Sequence, residues 1–312
     1  MQLYKSRGFG EFFQDTFAFI KQNGSHFFKY FFIINGIFIM ILMVLSHYFS
    51  KFYSDLLFSS IVTDNQSAFE NFMNENFGIF IILCFVFVVV GLLASIISYA
   101  FVPIYLKLYN ELGARNFQTN ELIKAYKKHF GQLIIFVLCG ILIAIPIAIF
   151  VGLLAFVLAI TIIGLLALPI VAGIVSLFYQ GSLMEYLERK RGLWESFGYN
   201  WKLMSSKFWA SVGSVGLFFL ISYIIQYAIA LIPSLSYFMD VITESQSGTF
   251  NTFEPDPFSS TLTIAYFIIS FIITSVLNAI VQMNQGIIFY SLKEDNEHIN
   301  TKSDIDLIGT SE

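Results

Sequence analysis

Residues 129–184 read HFGQLIIFVLCGILIAIPIAIFVGLLAFVLAITIIGLLALPIVAGIVSLFYQGSLM, with Lys128 before them and Glu185 after them. No Asp, Glu, Lys or Arg interrupts the run. The hydrocarbon core of a bilayer, about 30 Å thick, takes about 20 apolar residues as a helix. The run is too long for one crossing and predicts two, joined by a tight turn near Gly152–Ile162. Outward from it the same criterion gives six spans in all, at about 30–49, 78–102, 131–152, 158–180, 208–232 and 259–283. Helices are the reading because lipid leaves no partner for open backbone groups, and the runs lack the alternation of a barrel strand. The composition agrees: 57% of the 312 residues are hydrophobic and 12% are charged, against about 25% charged in soluble domains. The predicted fold class is all-α integral membrane.

The 17 Lys and Arg residues fix a direction. Lys5, Arg7, Lys21 and Lys29 precede the first span. Lys107, Arg115, Lys124, Lys127 and Lys128 lie between the second and third. Arg189, Lys190, Arg191, Lys202 and Lys207 lie between the fourth and fifth, and Lys293 and Lys302 follow the sixth. The three intervening pieces hold only Lys51. Basic residues mark the cytoplasmic side, so both termini are expected in the cytoplasm of a bacterial cell, with the chain in its inner membrane. No cleavable leader is visible before the first span, which is expected to act as a retained signal anchor. The outer pieces carry Asp55, Asp64, Glu70, Glu75, Asp240, Glu244, Glu254 and Asp256. An acidic outer face with basic inner loops argues against a nucleic-acid partner. Cys84 and Cys139 fall in spans of different hairpins and are expected to be free thiols.

The chain also repeats itself, in three units at about 9–107, 119–188 and 193–292. Each opens on an aromatic amphipathic segment and continues as a span, an outer turn, a second span and a polar exit. The openings place Phe9, Phe13, Phe17 and Ile20 on one face, then Leu122, Ile123, Tyr126 and Phe130, then Trp194, Phe197 and Trp201. Such helices are expected to lie in the membrane interface, touching lipid. The exits carry Tyr105-Leu106, Gln180-Gly181 before Leu187, and Gln285-Gly286 before Leu292. Trp201 lies 184 residues after Phe17, and Leu292 lies 186 after Leu106. The predicted arrangement is three parallel hairpins, each led by a cytoplasmic interfacial helix. Residues 51–77 and 233–258 read as polar outer loops, and 293–312 as a disordered cytoplasmic tail. The loops, or the apolar patch Ile305–Ile308, are the expected contacts for other envelope proteins.

This pattern resembles the membrane domain found with some glycerophosphodiester phosphodiesterases, and related bacterial six-helix proteins. The residues that carry the likeness are the three aromatic openings, the Gln-Gly pairs at 180–181 and 285–286, and the opening Phe9-Gly-Glu-Phe-Phe-Gln-Asp-Thr-Phe17 with Asn23-Gly24 and Phe27-Phe28, which is similar to such proteins of the Bacteroidota. The likeness covers about residues 8–295. It implies a six-span membrane domain. It does not imply hydrolysis, because the soluble phosphodiesterase barrel has no counterpart in this sequence.

No Asp, Glu, Lys or Arg lies in the span cores, where a charge would mark a proton relay or ion path. The four His show no metal-ligand spacing, and neither a phosphate-binding Gly loop nor a nucleophile elbow is present. The expectation is a non-enzyme with no metal and no cofactor. Two patterns remain. Gly140, Ala144, Ala148 and Gly152 recur every four residues and read as a helix-packing seam. Ser270, Thr274, Asn278 and Gln282 form a polar stripe on the sixth span, opposite which Gln226 is expected; it reads as interhelical hydrogen-bond glue or as a solute path. The two resulting functions are an envelope scaffold or accessory subunit that organises lipid, and a transporter or flippase-like permease for a neutral or zwitterionic solute.

Overall fold

The structure is a computed structural model that describes residues 1–57, 66–113, 115–247 and 257–300. Among them are seven α-helices and no strands: α1 Phe9–Leu57, α2 Gln66–Leu112, α3 Thr119–Ala159, α4 Ile162–Leu187, α5 Leu193–Ser206, α6 Phe208–Ser247 and α7 Pro257–Glu297. Six of these are long and apolar enough to cross a membrane. The tight turn is Ile160-Thr161, where Thr161 caps α4 by accepting a bond from Gly164 N at 2.9 Å.

Several expectations change. At about 1.5 Å per residue, the 49 residues of α1 extend about 74 Å, more than twice the hydrocarbon thickness. Helix therefore replaces much of the two outer loops: 51–57, 66–77 and 233–247 are helical, and α7 begins at Pro257. The first two aromatic openings are not separate helices. Each forms the first turns of the spanning helix itself, and the helix runs unbroken through Gly24 and Gly131. Only the third opening, α5, stands alone. Ser206 turns its hydroxyl onto Leu203 O at 2.7 Å, and the next residue, Lys207, leaves helical geometry with φ −133° and ψ 50°. The tail is also corrected in part. Residues 293–297 finish α7, with Lys293 buried. Ile305–Ile308 and Glu254–Asp256 lie outside the described residues.

The chain forms two compact units. The first takes Met1–Tyr30, Tyr99–Leu231 and the chain from Ile273 onward; the second takes Phe31–Ser98 and Ile232–Ile272. The first unit has a dense interior. Its centre is a meeting of α2, α4 and α7, where a Cβ on Gly286 would strike the Leu106 side chain and lie 3.7 Å from Met184 Cε. A second close approach joins α4 to α6: a Cβ on Gly173 would lie 3.1 Å from Gly216 N and 3.2 Å from Val212 O. In the second unit, α1 and α2 touch through Phe49, Phe52, Phe80 and Phe87, with Phe52 and Phe80 stacked at 4.8 Å. Phe31 and Ile39 are buried, but many of its other apolar side chains are exposed; Ile82 is 65% and Phe85 68% exposed. Lipid is the solvent in which such a surface is stable.

Candidate functional site

The polar residues that the sequence scattered along the exits converge in the first unit. Lys293, on the last turns of α7, is fully buried and places Nζ 2.6 Å from Glu185 Oε2 and 2.6 Å from Glu188 Oε2. Glu185 is equally buried and also receives a bond from Arg191. Arg191 lies 3.6 Å from Glu297 and stacks 3.6 Å over the Tyr199 ring, while the Tyr199 hydroxyl donates to Glu297. Two cations and three carboxylates thus tie α4, the α4–α5 turn, α5 and the end of α7 into one network. Burial pulls against the charge of Arg191, but its bond to Glu185 and the other carboxylates outweigh this and raise its pKa. Burial and Glu297 hold the Tyr199 phenol protonated. Lys293 here is held between two carboxylates rather than presented to a cavity.

A second cation is buried at the start of the chain. Arg7 pairs with Asp15 at 2.7 Å and donates to the carbonyls of Gln2, Leu3 and Lys5. Lys207, at the break between α5 and α6, bonds to Arg7 O at 3.1 Å and pairs with Asp295 at 2.7 Å. Between these networks lies an uncharged cluster. Asn284 donates to Phe12 O, Thr16 Oγ1 and Ser214 Oγ at 3.0–3.2 Å. Gln285 donates to Ser176 Oγ at 2.6 Å, leaving its own Oε1 buried without a partner. Gln180, one helical turn beyond Ser176, is fully buried with both amide atoms unpartnered.

The predicted stripe behaves differently along its length. Ser270, Thr274 and Gln282 are half-buried, as is Gln226, and Asn278 is exposed. Asn278 and Gln285 share a face of α7, seven residues apart. At Gln285 that face is covered by α4 through Ser176; at Asn278 it is open. The predicted seam is likewise engaged at one end. Tyr179 bonds to Gly140 O at 3.2 Å and its ring covers the glycine, whereas Ala144 is half-buried, Ala148 and Gly152 are exposed, and Gly152 has no atom within 4 Å of its Cβ position. The close helix crossing is instead at Gly173 and Gly216.

The aromatic openings divide in the same way. Phe9 and Phe17 are exposed, Phe13 and Tyr126 half-buried, and Phe13 and Phe17 stack against Phe218 of α6 at 5.2 and 5.5 Å. On α5, Trp194 is 59% and Trp201 51% exposed, but Phe197 is 5% exposed between Phe136 and Phe178. Phe197 therefore meets protein rather than lipid, because α5 packs flat on α3 and α4. All three openings begin alike, each with a carboxylate folded back on a backbone amide: Gly8 N to Glu11 at 2.8 Å, Gln118 N to Glu121 at 2.8 Å, and Gly192 N to Glu195 at 3.0 Å. Among the described residues no group of three His, Cys, Asp or Glu is placed to hold a metal ion, and both cysteines are free. No family model, curated protein or solved structure matches the chain.

Proposed function

We propose that this multi-pass membrane protein is a non-enzymatic scaffold or accessory subunit of the bacterial inner membrane that organises lipid around it. Both ends face the cytoplasm in this reading, as the basic residues direct. The observation that carries it is the Lys293–Glu185–Glu188 cluster: the buried charges of the first unit are spent on one another, not presented to a passing solute. The three matching carboxylate starts support three repeats of one unit. Glu195 lies 184 residues after Glu11, and the packing of Leu106, Met184 and Gly286 supports an axis among the exits. The resemblance to the phosphodiesterase-associated membrane domain belongs to the same reading and brings no catalytic residue with it. Partners from the envelope are proposed at 51–77, 233–258 and Ile305–Ile308.

The test is purification in native lipid with identification of what remains bound. Reproducible co-purification of envelope proteins, together with rescue of a deletion phenotype by Asn278→Leu/Gln282→Leu, supports the scaffold. A second reading, a permease for a neutral or zwitterionic solute, is favoured by the unpartnered amide of Gln180 and the unpartnered oxygens of Gln282 and Gln285. Loss of rescue by the same well-folded double variant would favour that reading instead.

A further inference from the structure

One cavity in the first unit has a shape and lining that the scaffold reading leaves unused. It has a volume of about 550 Å³, within the range of about 300–1,000 Å³ typical of small-molecule sites. Val151 and Leu154 of α3 form one wall, Val171 and Ile174 of α4 the other, and Gly198 and Trp201 of α5 close one end. No charged side chain lines it. The stretch of α4 that walls it, from Val171 to Phe178, runs for about 10 Å along the helix, so the groove follows the spans from α5 toward the Ile160-Thr161 turn. Beneath α5 its floor is fixed: Phe178 packs 5.4 Å from the buried Phe197 and edge-on to Trp201 at 6.2 Å.

We infer that this groove holds one acyl chain of an anionic bilayer phospholipid, with the headgroup phosphate at Lys202. Three features point to that occupant. First, the groove is wholly apolar and parallel to membrane-crossing helices, the direction in which bilayer chains lie. Second, the closing helix is a short amphipathic one whose exposed Trp194 and Trp201 suit the boundary between headgroups and chains. Third, Lys202 follows Gly198 by four residues and so lies on the same side of α5, one turn beyond the groove. Its side chain is exposed and forms no ion pair among the described residues, unlike Lys207 and Arg191 nearby in sequence. A phosphate there would complete the charge while the chain fills the groove. Gly198 lines the α5 end of the groove and a Cβ there would meet nothing within 4 Å, so Gly198→Trp adds bulk at that end without displacing backbone.

The inference deepens the lipid-organising reading and rests on it, yet the two separate experimentally. The full-length protein is reconstituted in phosphatidylethanolamine vesicles containing a phosphatidylglycerol with a diazirine in its acyl chain. After illumination, labelled peptides are located by mass spectrometry. Labelling is expected to concentrate on residues 147–154 and 171–178. Gly198→Trp is expected to lower it there by about tenfold, while Phe85, an exposed residue of the second unit, stays labelled as in wild type. Gly10→Trp, at another glycine with open space around it, serves as the control and should change neither. Lys202→Glu should lower groove labelling by the phosphatidylglycerol probe but not by a diacylglycerol probe, which has the same chains and no phosphate. Uniform labelling of all exposed span faces, unaffected by Gly198→Trp, would overturn the site; envelope partners that still co-purify would then leave the scaffold reading standing. Equal groove labelling by a free diazirine fatty acid would overturn the assignment to a phospholipid.

Discussion

The two compact units solve the same problem, apolar helices in a bilayer, in opposite ways. The second unit buries few side chains, among them Phe31 and Ile39, leaves many apolar ones outward, and joins α1 to α2 through a few Phe rings. The first turns inward: it buries Phe12, Phe19, Phe27, Phe101, Tyr105 and Phe289, and with them Arg7, Glu185, Asn284 and Lys293. The difference teaches what stabilises each. Where lipid is the neighbour, side-chain identity matters little so long as it is apolar, because lipid tails are as apolar as Leu. Where protein is the neighbour and the groups are polar, each one depends on a particular partner.

The sharpest way to break this contrast is to remove one buried charge and compare it with one exposed ring. Lys293→Met leaves Glu185 and Glu188 without their shared cation. Breaking a buried pair from one side costs about 3–5 kcal/mol, so a large fall in thermal midpoint in detergent is expected. Phe85→Ala in the second unit removes a side chain that is 68% exposed and should change that midpoint little. Equal effects would mean that the ionic network does not hold the first unit together. Adding Glu188→Gln to Lys293→Met should restore part of the loss, since it removes one uncompensated carboxylate.

A smaller effect separates the two small-residue stripes. Gly216→Leu forces a side chain against Ile170 Cα, which would lie 3.2 Å from the new Cβ; overpacking of this kind costs about 1–3 kcal/mol. Gly152→Leu enters open space and is expected to stay within about 0.5 kcal/mol of wild type. Measured as unfolding midpoints, a reversed order would return the seam to α3.

These pairs also show what the sequence made legible. The six spans and a turn near Gly152–Ile162 follow from composition, because an uncharged run longer than one bilayer thickness must fold back; its place at Ile160-Thr161 came from the structure. The aromatic openings were legible as amphipathic, and their common Glu starts are visible as Glu11, Glu121 and Glu195. Periodicity could not say whether each opening stops before its span. Only the third does, at Lys207, and hydroxyl-to-carbonyl bonds alone do not mark the break, since Thr16 makes one to Phe12 O inside the unbroken α1. Nor could it say which aromatic meets lipid: Trp194 and Phe197 lie three residues apart on α5, and only the packing of α3 and α4 beneath it buries one and exposes the other. The convergence of Glu185 and Lys293, 108 residues apart, had no local signal. In sequence both looked like ordinary charges at the ends of spans.

The smallest expected effect is the most diagnostic, because it sets two asparagines of one helix against each other. Asn278 and Asn284 lie six residues apart on α7, and the sequence marked Asn278. Asn284 is fully buried and holds Phe12 O, Thr16 and Ser214, so Asn284→Leu removes those bonds and leaves Thr16 and Ser214 facing an apolar chain, a loss of about 1–3 kcal/mol. Asn278 is exposed, and a Leu there adds apolar surface where lipid is the neighbour; stability should stay within about 0.5 kcal/mol of wild type. Thermal unfolding of both variants in one detergent, with deletion rescue scored beside it, reads the two quantities separately. A scaffold needs only the folded shape, so Asn278→Leu should rescue fully. If it melts as wild type and still fails to rescue, the amide at 278 acts on something that passes rather than something that packs, and the permease becomes the better account of this helix.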